Sequence, residues 1–191
     1  VRGNMRKLII ANYNYISQII AIISGQKPTI TEYKLARKQV YIATANMGST
    51  FQRMLTEPKR KQKNTKEVNR FVIFNHILSS YSATLTRRVW EADASELNNE
   101  HLKLVKKALS SLENVIVLLT DESDTDTFYP VKYNVPKEEE EGAISEESKL
   151  ITEQLQFLNK ICSDLQKSVI QIIDVEEKAK LDLQQEAVQN G

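Results

Sequence analysis

The chain has 191 residues, of which 41% are hydrophobic, and its 26 Lys and Arg against 25 Asp and Glu give a net charge of +1. This length suits one domain with a sizeable core, so residues 1–191 are expected to form a single domain. One cysteine, Cys162, excludes an internal disulfide framework and a cysteine-rich zinc site. No apolar run reaches the roughly 18 to 20 residues that cross a bilayer, so this segment is expected to be soluble.

Glycine and proline are rare and fall between stretches of helical periodicity, which predicts an all-α fold. The predicted helices are, in chain order, a first helix closed by Gly25 and Pro28, a second from about Thr29 to Thr56, a third from about Thr65 to Asp93, a fourth from an Asn98 or Asn99 cap to about Leu119, and a fifth from about Ser145 to Asp174 or beyond. Because most connections are short, we predict an antiparallel bundle of four to five long helices.

The fifth segment keeps apolar residues on a strict heptad seam, at Ile151, Leu155, Leu158, Cys162, Leu165, Val169 and Ile172. Such a seam packs either inside a bundle or between two chains, so a homo-oligomer through 151–172 is an open alternative. The preceding residues, about 121–144, are rich in acids and are predicted to form one long acidic loop.

The pattern of residues argues against catalysis and against a bound cofactor or metal. The five glycines are too scattered for a phosphate-binding loop or a dinucleotide fingerprint. His76 and His101 have no further His or Cys at ligand spacing, and no carboxylate is paired with a nucleophile. We therefore expect no enzyme activity, no cofactor and no metal site.

A cationic run follows Pro58 and contains Lys59, Arg60, Lys61, Lys63 and Lys66. The simplest interpretation is a solvated connection between two helices. Nucleic acid is not expected as a partner, because no aromatic residue is interleaved for base stacking. Weak contact with anionic lipid is the functional alternative.

Four polar residues interrupt the otherwise apolar segment "RFVIFNHILSSYSATL" at positions 70–85. Helical spacing places Asn75 and Ser79 on one face, and His76 and Ser80 on the next. Buried polar groups of this kind usually satisfy one another and fix the register of a helix, which is the role we favour. A ligand-binding role is the alternative.

Three stretches, "YKLARKQVY", "FQRMLTEP" and "FNHILSSYSATL", together resemble the cytosolic region of FUSC-like (fusaric acid resistance) bacterial inner-membrane proteins of the YccS/YhfK type. The resemblance is strongest over residues 33 to 90. The matching positions are Tyr33, Ala36, Arg37, Met54, Leu55, Glu57, Pro58, Asn75, His76, Leu78, Ser80 and Tyr81. None of them is an established catalytic residue of the family.

The resemblance implies the cytoplasmic domain of an inner-membrane efflux transporter, acting with the membrane-embedded part of the same chain in assembly, gating or regulation. A pocket prediction follows from the polar cluster: if Arg37, Asn75 and His76 converge between the second and third helices, they could hold an organic carboxylate, the substrate class that the resemblance suggests. Because Val1 is not an initiator methionine, Arg2, Arg6 and Lys7 are expected to be juxtamembrane cations. A free-standing helical adaptor that binds a protein partner is the alternative.

Overall fold

A computed structural model describes residues 1–59, 62, 64–121, 124, 127–132 and 144–189, without the side chains at 180, 182–184 and 186–189. Within them lie five α-helices and no strand: α1 (Arg2–Ile23), α2 (Ile30–Thr56), α3 (Thr65–Glu91), α4 (Asn99–Leu119) and α5 (Glu146–Gln189). The all-α prediction is confirmed. Much of the predicted acidic loop, residues 122, 123, 125, 126 and 133–143, lies outside the described residues.

Local signals in the sequence set the helix ends. Thr29 caps α2 reciprocally with Glu32: the Glu32 backbone N–H donates to the Thr29 hydroxyl (3.2 Å), and the Thr29 N–H donates to the Glu32 carboxylate (2.7 Å). These bonds hold the pKa of Glu32 below its usual value. Asn98 caps α4 in the same way with His101, and α2 ends before Pro58 as predicted.

Four helices surround one core in the cyclic order α1, α3, α5, α4, and α2 packs outside them against α1 and α3. The core is formed by the inward-facing apolar residues of each helix, among them Ile9, Ile16, Phe71, Leu78, Val105, Leu112, Leu158 and Leu165. The entire heptad seam of α5 lies in this core, no more than 2% exposed. Pairing between chains through 151–172 would therefore require the seam to leave it.

The antiparallel arrangement does not hold for two neighbouring pairs, α1 with α3 and α4 with α5. Asn12 of α1 bonds to Asn75 and Ser79, and Lys27 just after α1 bonds to the Trp90 carbonyl near the end of α3, so α1 and α3 run in parallel. His101 contacts Ser148 and Thr152, and the Leu104 carbonyl accepts a bond from Asn159 (2.8 Å), so α4 and α5 run in parallel. Antiparallel α1 and α2 are shown by the bond from Asn4 to Thr50 (2.6 Å) near one end, with Tyr15 bonded to Tyr33 near the other.

The connection between α4 and α5, residues 120–145, makes their parallel pairing possible. It starts at the C-terminal end of α4 and must return to the level of the α4 N-terminus, where Ser145 bonds to Glu96. A helix of 21 residues is about 32 Å long, a distance that 26 residues span easily. We call residues 120–132 the crossover segment; its Phe128 packs on α1.

Buried arginine fixes the start of this segment, which the sequence pattern did not predict. Arg6, 2% exposed, donates from Nε to the Thr120 hydroxyl (3.0 Å) and lies 3.6 Å from the Asp124 carboxylate. Arg2 donates to the Leu118 carbonyl. Both cations thus meet the negative end of α4, where the helix dipole favours them. Arg2 and Arg6 face the protein, and of the three expected juxtamembrane cations only Lys7 is exposed.

Candidate functional site

A groove of about 530 Å³ lies between α1, α2 and the crossover segment. Its lining residues are Asn4, Lys7, Ile10, Ala11 and Asn14 of α1, Gln39, Ile42, Ala43 and Asn46 of α2, and Thr127, Phe128 and Tyr129 of the crossover segment. Ala11 and Ala43 form part of the apolar floor of the groove. Because their side chains are short, the polar residues of the rim lie close to this floor. We call this space the α1–α2 groove.

The aromatic wall of the groove is held in place by Tyr13 of α1. The Phe128 ring meets the Tyr13 ring edge-on, with 5.0 Å between the centroids. The Tyr13 hydroxyl donates to the Glu113 carboxylate of α4 (2.8 Å) and accepts from the backbone N–H of Val131 (3.1 Å). One buried hydroxyl thereby ties α1, α4 and the crossover segment together, which positions Phe128 and Tyr129.

The chemistry of the α1–α2 groove is that of a cationic and amide-rich cleft. Lys7 is the one charged residue among its lining residues, and four amide side chains, those of Asn4, Asn14, Gln39 and Asn46, accompany it. No carboxylate lines the groove within the described part of the chain. Apolar walls with a few polar groups are typical of small-molecule sites, and this set would suit a small organic anion.

The predicted polar cluster is divided between the interior and the surface. Asn75 is 1% exposed and accepts a bond from Asn12 of α1 (3.4 Å), while Ser79 donates to the Asn12 side chain (3.1 Å). His76 and Ser80 are exposed on the outer side of α3. The network of Asn12, Asn75 and Ser79 therefore joins α1 to α3, in line with the structural role that we favoured.

Arg37 stands apart from this network. Its guanidinium donates to the Tyr41 hydroxyl one turn along α2 (3.0 and 3.2 Å), and both side chains are exposed. No bond joins Arg37 to Asn75 or His76 in the described residues, and Asn75 is buried. The three side chains do not form the predicted carboxylate pocket, and the α1–α2 groove is the alternative place for one.

The cationic loop after α2 lies at the end of the bundle that also holds the start of α1. Lys59 and Lys66 are exposed, whereas Arg60, Lys61 and Lys63 fall outside the described residues. The Gln62 side chain donates to the carbonyls of Leu55 (2.8 Å) and Glu57 (2.6 Å), which closes the turn. The predicted position of the loop at a helix–helix turn is thus observed.

Two further features were not predicted from the sequence. A second cleft, between the end of α3 and the start of α5, is lined by charges that pair internally: Arg87 with Glu91 (2.9 Å) and Arg88 with Glu147 (3.0 Å). An aromatic cluster joins Tyr15, Tyr33 and Trp90 from three helices, and burial raises the pKa of Tyr15. Both features join helices, and both arginines that line the second cleft are engaged in ion pairs.

Comparisons with known proteins give no relative from which a function could be transferred. No family model matches the chain, and no curated protein or solved structure matches it either. In the residues that the structure describes, no group of His, Cys, Asp and Glu is arranged to hold a metal ion. None of the described helices has an apolar stretch long enough to span a bilayer.

Proposed function

We propose that the chain is the water-facing helical domain of a FUSC-like inner-membrane efflux protein. In this role it assembles, gates or regulates the membrane-embedded part and catalyses no reaction. The resemblance over residues 33 to 90 supports the assignment, and three of its matched residues lie where helices are held together. Tyr33 packs on Trp90, Met54 is in the core, and Asn75 joins α3 to α1.

The α1–α2 groove is the observation that carries the regulatory part of the proposal. It combines one cation, Lys7, with amides and an apolar floor, and no acid lines it in the described chain. A carboxylate on a small aromatic or aliphatic body matches this lining, because a charge-assisted hydrogen bond to Lys7 adds to apolar burial. Occupancy would press on Phe128 and so act on the crossover segment.

The first test measures binding of benzoate to the purified chain by isothermal titration calorimetry, with benzyl alcohol as the uncharged analogue. Benzoate is expected to bind more tightly than benzyl alcohol. Lys7→Gln is expected to weaken benzoate binding roughly ten- to hundredfold, since hydrogen bonds to charged groups contribute about 1.5 to 3 kcal/mol. Ala43→Leu, which fills the floor of the groove, is expected to weaken both compounds.

Lys103→Gln is the matched control, because Lys103 is an exposed lysine on α4 remote from the groove. Equal affinity for the two compounds, or an equal loss in Lys7→Gln and Lys103→Gln, would contradict a carboxylate site here. Reading the gene upstream of Val1 tests the wider assignment. Several hydrophobic helices would support the transporter, whereas a start codon or a soluble domain would support a free-standing adaptor.

A further inference from the structure

The outer face of α2 carries cations and lacks acids. From Tyr33 to Thr56 the sequence contains no Asp or Glu. Lys34, Arg37, Lys38 and Arg53 are all exposed along this stretch. The nearest acid before them, Glu32, is bonded into the cap of α2 by Thr29. A surface helix with this charge pattern attracts anions along much of its length.

The position of α2 in the fold makes this face available. The helix buries only a narrow stripe, with Val40, Met47 and Met54 at its centre, against α1 and α3. At about 100° per residue, Lys34, Lys38 and Ala45 lie on the opposite side. Lys34 and Arg53 are 19 positions apart, so the cations extend over about 29 Å of helix. Arg37 is held at the surface by stacking on Tyr41 (5.5 Å from the ring centroid).

Apolar side chains are exposed between these cations. Leu35 is 55% exposed, Tyr41 57% and Ile42 44%. They do not form the i, i+3, i+4, i+7 stripe that a helix presents to a protein groove, because Lys38 and Gln39 occupy the places between Leu35 and Ile42. The exposed cations instead favour an anionic bilayer surface, where each contributes roughly 1 kcal/mol and the exposed Leu35 and Tyr41 add apolar contact.

We propose that α2 lies lengthwise on an anionic bilayer surface. Lys34, Arg37 and Lys38 meet lipid headgroups, while Leu35 and Tyr41 reach the apolar boundary below them. This proposal concerns the side of the bundle and not the cationic loop after Pro58, which would touch a membrane only at the end of the bundle. It is also distinct from ligand binding in the α1–α2 groove, because the cations, Leu35 and Tyr41 do not line the groove, although Ile42 belongs to both surfaces.

The test is sedimentation of the chain with vesicles of phosphatidylcholine alone and of phosphatidylcholine mixed with phosphatidylglycerol. The triple variant Lys34→Gln, Arg37→Gln and Lys38→Gln is expected to weaken binding to the anionic vesicles on the order of a hundredfold. This follows from roughly 1 kcal/mol, or about fivefold in affinity, for each cation near the surface. Binding of the unmodified chain should also weaken with added salt.

A second triple variant provides the matched control. Lys103→Gln, Lys107→Gln and Lys160→Gln remove three exposed cations from α4 and α5 and change the net charge equally. A similar loss in both variants would overturn the proposal, because binding would then follow net charge alone. A loss found only with Lys59→Gln and Lys66→Gln would overturn it in favour of the loop. If the triple α2 variant still bound anionic vesicles but lost binding to RNA, the proposal would be overturned in favour of a polynucleotide partner.

A fluorescent label shows which side of the bundle approaches the bilayer, and this test does not depend on a variant that has lost binding. The native Cys162 is buried, and burial raises the pKa of its thiol to about 12, so an introduced surface cysteine reacts selectively. An environment-sensitive dye on Ala45→Cys is expected to shift to the blue with anionic vesicles. The same dye on Ser80→Cys, exposed on α3, is expected to remain unchanged. Equal shifts at both positions, or a shift at Ser80→Cys alone, would contradict the lengthwise orientation of α2.

Discussion

Two neighbouring helices, α1 and α2, use their polar residues in opposite ways. Central α1 contacts α2, α3 and α4, and it buries Arg6 and Asn12 in addition to its apolar residues. Peripheral α2 packs against α1 and α3, and its cations face solvent. The buried polar residues of α1 join it to other helices, whereas the cations of α2 form part of a surface. The difference teaches that a polar residue acquires its role from the number of neighbours its helix has.

The largest expected effect comes from shortening a core residue of α1. Ile16 is completely buried, so Ile16→Ala should lower the free energy of unfolding by about 2 to 5 kcal/mol, through lost burial and the cavity that remains. Leu35→Ala on the outer face of α2 should change it by less than about 0.5 kcal/mol. Urea denaturation followed by circular dichroism measures both. Equal losses would break the contrast between the two helices.

The next effect concerns the arginine that holds the crossover segment. Arg6→Met is expected to lower the free energy of unfolding by roughly 1.5 to 3 kcal/mol. It removes a charge-assisted hydrogen bond to Thr120 and leaves Asp124 without this cation. Lys7→Gln, one position along and exposed, serves as the control and should be nearly neutral. Urea denaturation of the two variants gives the difference. A stability loss in Lys7→Gln as large as that in Arg6→Met would contradict the assignment.

A smaller effect is expected from the buried amide network of α1 and α3. In a double-mutant cycle, Asn12→Ala and Ser79→Ala should show a coupling energy of roughly 1 kcal/mol, because the two side chains share a hydrogen bond of 3.1 Å. The pair Asn12→Ala and Arg37→Ala, in which Arg37 is exposed on α2, provides the reference, since these two residues have no bond in common. Strictly additive losses for Asn12 and Ser79 would show that the bond contributes nothing.

The last prediction is the pH dependence carried by His101. Its Nδ1 accepts the Asn98 backbone N–H (3.3 Å), and its Nε2 donates to the Thr152 hydroxyl (2.9 Å) and the Ser148 carbonyl (3.0 Å). Burial lowers the pKa of His101 below its ordinary value of 6.5. Between the lowered and the ordinary pKa the unfolded chain binds more protons, so stability is complete above 6.5 and falls as the pH drops below it.

Comparison of unfolding free energies above and below pH 6.5 checks this prediction. His101→Gln should reduce the loss of stability on acidification, because the neutral amide side chain does not titrate. His76→Gln, which changes the other histidine of the chain, should leave the loss as it is, since His76 is exposed. The prediction would be refuted by a loss that depends on His76 and not on His101.

Helix positions could be predicted from the sequence to within a few residues because their causes are local. Pro58 ends α2, Thr29 and Asn98 provide caps, and the apolar period identifies each buried face. The seam of α5 was equally readable. What remained ambiguous was its partner, because a heptad repeat has the same form whether it packs on α3 and α4 or on a second chain.

The parallel direction of α4 and α5 and the composition of the groove depend on residues far apart in sequence. Arg6 and Asp124 are separated by more than half of the chain, and periodicity contains no information on which distant helix a polar residue will meet. One signal was present: the connection of 26 residues was long enough to recross the bundle. Arg37, Asn75 and His76 do not form the proposed pocket. Spacing along a helix predicts which side of the helix a residue lies on, but not how deeply that side is buried in the fold.

The single cysteine has a consequence for how the opening of the bundle can be followed. Cys162 faces the core from α5, and its thiol is inaccessible while α5 packs on α3 and α4. The rate at which it reacts with a disulfide reagent therefore equals the reagent's intrinsic rate multiplied by the fraction of molecules in which α5 has opened, when closing is fast. The reaction rate of the native thiol therefore reports how often α5, the longest helix, opens from the bundle, and it does so without denaturant.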